Sequence, residues 1–405
     1  MRLLPDDVPS ETRLLLWGRG LRAFGDGFVS LLLPFYLTLL GFSPSAVGLL
    51  ITATLAGSAA LTLMVGVTAH RFGQRGLLVA ATLLMIATGI GFTLETRFWP
   101  LLVIGFLGTL NPSSGDVSVF LPLEQALLAE TASDRSRTAV FAVYSLVGSL
   151  VAAAGSLAAG LPDLLSKAWP LSLATALQAM FALYALLGLA TYYLYRRLPP
   201  RLDRHNAAQR QALGPSRGIV LTLAALFSLD AFGGGFIVQS LLALWLFDRF
   251  GLSLAAAGSF FFWSGLLSAG SYLAAARIAR RIGLVNTMVW THLPSNLLLI
   301  LAPFAPSLWL ALALLLARSA LSQMDVPTRT SYVMAVVTPG ERAAAAGVTA
   351  VPRSLAAAAS PLASGYLLGL SAFGWPLVAA GALKGIYDVL LLLLFRHQRP
   401  PEEQG

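Results

Sequence analysis

Twelve stretches of about 20 predominantly apolar residues, each long enough to cross the hydrocarbon core of a bilayer as a helix, follow one another along the chain. They fall near residues 14–40, 44–69, 76–94, 98–122, 137–160, 169–195, 218–247, 253–276, 284–304, 307–328, 343–369 and 373–395. Asn111-Pro112 and Pro327 interrupt the fourth and tenth. Of the 405 residues 57% are hydrophobic and 11% charged, against about 25% charged in a typical soluble domain. No soluble core hides that much apolar surface, so lipid is the solvent. The longest loop, Arg196–Arg217, divides six spans from six.

Charge sets an expected orientation. Segments assigned to the cytoplasm carry eighteen Lys and Arg residues and those on the opposite side three, Arg97, Lys167 and Arg249. The alternation holds through an even number of spans, which puts both termini inside. The net charge of +9 is therefore a topology signal and not a nucleic-acid face. Cysteine is absent and the four histidines, His70, His205, His292 and His397, are far apart in sequence, which argues against a metal site or cofactor. The acidic, Pro-interrupted MRLLPDDVPSETR does not read as a cleavable signal.

The chain repeats. LRAFGDGF (Leu21–Phe28) returns as DAFGGGF (Asp230–Phe236), with Asp230 where the first copy has Arg22. LGFSPSAVG (Leu40–Gly48) matches FGLSLAAAG (Phe250–Gly258), and HRFG (His70–Gly73) matches RRIG (Arg280–Gly283). GDV (Gly115–Val117) matches MDV (Met324–Val326), and GSLAAG (Gly155–Gly160) matches SPLASG (Ser360–Gly365). The nearly constant offset predicts an all-α integral membrane protein with twelve transmembrane helices. Two six-helix bundles, 1–195 and 218–405, would be related by a pseudo-two-fold along the membrane normal and joined by a basic cytoplasmic linker at 196–217.

The whole chain resembles the major facilitator superfamily, whose halves are such parallel repeats. Between spans two and three the family carries Gly-x-x-x-Asp-Arg-x-Gly-Arg-Arg. Here GVTAHRFGQR matches at Gly66, Arg71, Gly73 and Arg75, while His70 replaces the Asp and Gln74 a basic residue. In the family that Asp helps latch the halves on the cytoplasmic side. The fourth-span arginine and fifth-span Gly-Pro signature of drug–proton antiporters are absent.

Ionisable groups at membrane depth are costly and mark substrate or ion paths unless they are neutralised pins. Arg22 and Asp26, four apart, share a helix face. They read either as a neutralised pair or as a switch in which Arg22 alternates between Asp26 and Asp230 across a cavity. Asp116 and Asp325 are equivalent under the repeat, and Arg318, Asp325 and Arg329 share a face. Glu124 has no local basic partner and is a candidate proton carrier, with Asp26 the other. Arg353 is placed to meet an anion or a carboxylate. Lys384 and Asp388 form a further i,i+4 pair, read as structural because the resemblance makes the twelfth span peripheral. Phe35, Tyr36, Trp245, Trp263 and Tyr332 are candidate cavity aromatics.

The expected function is secondary transport, since no Gly-x-x-x-x-Gly-Lys-Ser/Thr loop or ATPase-sized domain occurs. Family base rates favour proton-coupled export of a small organic molecule. The intramembrane arginines motivate uptake or exchange of an organic anion instead. A non-transporting sensor or scaffold is a third class; an enzyme is not expected. The partners expected are a small-molecule substrate, protons and the lipid bilayer, with the protein a monomer in a bacterial inner membrane.

Overall fold

The computed structural model describes residues 9–113, 118–131, 137–199, 214–338 and 341–396, and every regular element among them is helical. Spans one to three are single helices: α1 (Ser10–Leu39), α2 (Pro44–Phe72) and α3 (Gln74–Leu94). Span four is broken into α4 (Phe98–Leu107) and α5 (Phe120–Thr131). Span five is α6 (Arg137–Leu157), continued through a short 3-10 turn into α7 (Leu161–Ala168), and span six is α8 (Leu173–Arg196). In the second half span seven is α9 (Arg217–Gly235) and α10 (Gln239–Phe250), span eight α11 (Leu254–Ile282) and span nine α12 (Leu284–Leu301). Span ten is α13 (Leu308–Ser322) and α14 (Asp325–Val336), span eleven α15 (Arg342–Leu370) and span twelve α16 (Trp375–Phe395).

Nine segments among the described residues are long and apolar enough to cross a membrane. The charged α1, the broken α4–α5 and the Ala- and Ser-rich α15 complete a twelve-span layout. Spans four and ten run past their expected ends, to Thr131 and Val336 instead of 122 and 328. Most of the linker falls outside the described residues.

The repeat is visible in local geometry. Gly41 and Gly251 both turn with positive φ, +87° and +63°, and Gly73 and Gly283 do so at +69° and +87°. Such values are accessible to glycine without strain. Ser43 and Ser253 each cap the following helix by accepting the backbone N–H of Ala46 and Ala256, both at 3.3 Å.

The halves meet at the end away from the termini. Ser240 Oγ donates to the carbonyls of Ser30 (2.6 Å) and Pro112 (3.1 Å), and the rings of Phe35 and Phe247 pack edge to face at 5.4 Å. Span two crosses span eleven there so closely that a Cβ on Gly48 would lie 2.8 Å from Gly365 Cα. Small residues at crossing points let membrane helices approach backbone to backbone. Trp99, Trp169, Trp309 and Trp375 stand exposed at the same end, as an interfacial belt requires.

Candidate functional site

A cavity of about 350 Å³ lies between the halves, walled mostly by the second. Asp230, His292, Arg318, Asp325, Arg329, Arg353 and Lys384 line it, together with serines from both halves such as Ser149, Ser156, Ser268 and Ser322. Two features of span seven build its floor. Gly233 and Gly234 leave room for span twelve, whose Lys384 Cγ lies 3.0 Å from where a Cβ of Gly233 would stand, and Gly235 leaves room for span eleven, whose Ala357 carbonyl oxygen would lie 2.4 Å from a Cβ there. The helix then breaks between α9 and α10, and Ser364 Oγ donates to the freed Phe236 carbonyl at 2.7 Å. A break at membrane depth is tolerated when a side chain satisfies the backbone in this way.

Asp230 is the hub. Lys384 Nζ donates to its Oδ1 at 2.6 Å and Arg329 Nη2 to its Oδ2 at 2.8 Å. Arg329 also binds Asp325, one turn earlier on α14, and its guanidinium stands 5.0 Å over the Phe227 ring. The Arg318 Nε is buried and makes no hydrogen bond among the described residues. Arg318, Asp325 and Arg329 thus face one cavity although Gln323 and Met324 interrupt the helix between them.

The first half holds a separate buried cluster. The ion-pair partner of Arg22 is Glu124, not Asp26 or Asp230. Glu124 also accepts hydrogen bonds from the hydroxyls of Tyr144 (2.5 Å) and Tyr195. Arg22 stacks over the Phe120 ring at 4.0 Å. Glu124 does have a basic partner, because α5 carries it past the expected end of span four into the interior, where it is wholly buried. A carboxylate with three donors is a clamp joining spans one, four, five and six. Gly18 makes room for it: a Cβ there would lie 2.5 Å from the Tyr195 hydroxyl. Asp26 is buried beside Asn111, under the influence of Arg22 and Arg19.

Lys384 and Asp388 do not pair with each other. Lys384 serves Asp230, while Asp388 accepts from Asn296 Nδ2 at 2.8 Å and lies 2.9 Å from His292 Nδ1. Span twelve therefore contributes to the site. Sequence reasoning weighed His292 only as a metal ligand and did not raise Asn296. The signal in the sequence is the charge of Lys384 at membrane depth, which a peripheral twelfth span does not account for. None of the five candidate aromatics lines the cavity: Trp245 is fully buried against Gly374, and Trp263 is exposed on the outer surface of span eight. Asp116 lies outside the described residues, as do the side chains of His70 and Arg71 and the surroundings of Gly66. Arg75 Nη2 donates to the Arg196 carbonyl at 3.0 Å, tying the loop after span two to the end of span six.

A two-half helical membrane fold around a charged central cavity defines a membrane transporter. The sequence profile of the Major Facilitator Superfamily matches residues 15–295, and the chain belongs to that superfamily. It is 26% identical over 418 residues to the "Uncharacterized membrane protein YJR124C" of Saccharomyces cerevisiae, covering 94% of this chain and 93% of that one. Its fold is similar to a mutant of the nucleoside transporter NupG (12% identity, 95% of this chain and 100% of that one, TM-score 0.74). It is also similar to the human organic anion transporter MFSD10 (20% identity, 95% and 100%, TM-score 0.66). A third likeness is to a bacterial homologue of the human lysosomal transporter Spinster, in an inward-facing and occupied conformation (15% identity, 95% and 96%, TM-score 0.71).

Proposed function

We propose that the protein is a secondary transporter that binds a small anionic solute in the central cavity and carries it by alternating access. The observation behind this reading is the charge of the wall: four cations, Arg318, Arg329, Arg353 and Lys384, against two carboxylates, Asp230 and Asp325. Cationic groups without matching carboxylates are expensive at membrane depth and persist where they serve a ligand. The serines add neutral donors that suit a carboxylate, sulfonate or phosphate. The solved transporter named for organic anions is a fold likeness that points the same way.

Export of an uncharged or cationic molecule is less well served by such a wall, and uptake or exchange of an anion takes its place. That the sequence carries no phosphate-binding loop supports an ion gradient as the energy source, with protons the choice. The asymmetry of basic loops supports cytoplasmic termini, and 25 arginines against two lysines agree with a bacterial inner membrane. The closed end is then the outer one and the cavity faces inward. Each chain contains its own path, in keeping with a monomer.

The test is a thermal-shift panel on purified protein with succinate, p-toluenesulfonate, glycerol phosphate, choline and glucose. An anion is expected to raise the melting temperature of the wild type and to have little effect on Arg318→Ala/Arg353→Ala. A response to choline or glucose equal to that for every anion overturns the reading.

A further inference from the structure

His292 stands between two carboxylates. Its Nδ1 lies 2.9 Å from Asp388 Oδ1 and its Nε2 3.9 Å from Asp230 Oδ1. Asp388 is fully buried on span twelve, while Asp230 and His292 both line the cavity. Asn296, one turn along from His292 on α12, donates to the second oxygen of Asp388 and fixes its orientation. Two groups reach Nδ1, the Asp388 carboxylate at 2.9 Å and the Asn296 amide nitrogen at the longer 3.3 Å; the carboxylate accepts and does not donate, so the shorter contact holds the hydrogen of the neutral imidazole on Nδ1. The lone pair of Nε2 is thereby directed toward Asp230, at the cavity wall. That is the arrangement by which a buried acceptor sets the tautomer of a working histidine.

From this geometry we propose that His292 Nε2 is the coupling-proton site, and that a proton there and an anion in the cavity bind cooperatively. The proposal rests on the anion reading above and adds the ion and its position. The step is simple: the Nε2 lone pair takes a proton from hydronium reaching the cavity, the N–H bond forms as the hydronium O–H bond breaks, a neutral water leaves, and the site gains one positive charge. The groups facing the ring decide its consequences. Asp388 and Asp230 attract the imidazolium; Lys384, Arg329 and Arg318 oppose it, and Asp325 partly offsets Arg329. The Tyr387 ring closes the edge, 6.1 Å from the imidazole. An anion against the cationic wall screens that opposition, so each ligand raises the affinity of the other by the same factor. The protonated ring also competes with Lys384 for the same oxygen, Asp230 Oδ1, which turns the Lys384 ammonium toward the anion. Proton and anion then cross together.

Two measurements test this. In nanodiscs, nitrogen NMR of protein labelled at histidine, with the His292 signals assigned by their loss in His292→Gln, reads tautomer and charge directly. The expected result is Nδ1–H in the neutral form, protonation of Nε2 as the pH falls, and an upward shift of the midpoint with p-toluenesulfonate, which stays ionised throughout. Asp388→Asn is expected to abolish the tautomer preference. An imidazole that stays neutral across the range, or is Nε2–H when neutral, overturns the proposal. In proteoliposomes, the ratio of pH-driven accumulation to exchange at equal pH is expected to collapse in His292→Gln; an unchanged ratio overturns it. A wild type that responds to no panel anion overturns the anion reading instead, and the histidine titration separates the two failures.

Discussion

Arg22 and Asp230 hold corresponding places in the two halves and bind partners of opposite sign. Arg22 on span one holds Glu124 of span four, and Asp230 on span seven is held by Arg329 of span ten at 2.8 Å. The repeat has kept a charged bridge between the first and fourth helices of each half and inverted its polarity. The inversion separates two jobs. The first bridge is sealed among tyrosines and clamps its own bundle, whereas the second opens on the cavity and carries the surplus of cations.

The clamp is expected to be worth most to stability. Removing one member of a buried pair strands the other, at a cost of about 3–5 kcal/mol. Arg22→Leu and Glu124→Leu should each lower the unfolding midpoint of the detergent-solubilised protein sharply, and the double variant should lose clearly less than the two together. Additive losses would show that the two side chains act independently.

The distal closure depends on missing side chains. Gly48→Leu and Gly365→Leu place bulk where spans two and eleven touch, so the closed end away from the termini is expected to be disfavoured and transport to slow. The native chain has no cysteine, which makes single-cysteine labelling clean. A cysteine at Ser268 in the cavity should become more reactive from the distal side in these variants, and equal reactivity in both backgrounds would sink the prediction.

The paired turns test the repeat itself. Nothing stands within 4 Å of a Cβ built on Gly41 or Gly251, so alanine there meets only the backbone penalty of the left-handed region, about 1–2 kcal/mol. Similar losses at both positions are expected in chemical unfolding, with asparagine costing less than alanine at each.

Glu341, at the mouth of span eleven, brings a pH dependence. The Ser216 and Thr338 hydroxyls and the Gly214 N–H donate to its carboxylate and hold its pKa down to about 2, from an ordinary 4.5. A depressed folded-state value means that this contact contributes fully above about pH 4.5 and is lost as the pH falls toward 2. Hydrogen-exchange protection of Gly214 and Ser216 should fall through that window in the wild type and stay low in Glu341→Gln at every pH.

Much of the architecture was legible in the chain. Span number follows from the length of apolar runs, and the two halves follow from the matched Gly41/Gly251 and Gly73/Gly283 turns, because both signals are local. The partners of the buried charges were another matter. The spacing of Arg22 and Asp26, or of Lys384 and Asp388, says which residues share a helix face, but not which residue of another helix meets that face. Glu124 approaches Arg22 across 102 residues of sequence and Lys384 approaches Asp230 across 154.

Composition and periodicity by themselves determined that the chain lives in lipid, folds as helices, repeats itself and keeps charge inside. Tertiary structure alone decided how that charge is shared. Gly233 and Gly234 let span twelve approach span seven, the break after α9 opens the wall, and His292 comes to rest between Asp230 and Asp388. The reason is physical: in a medium that solvates charge so poorly, each buried ion must be matched by whichever neighbour the packing delivers, and packing is a property of the assembled helices.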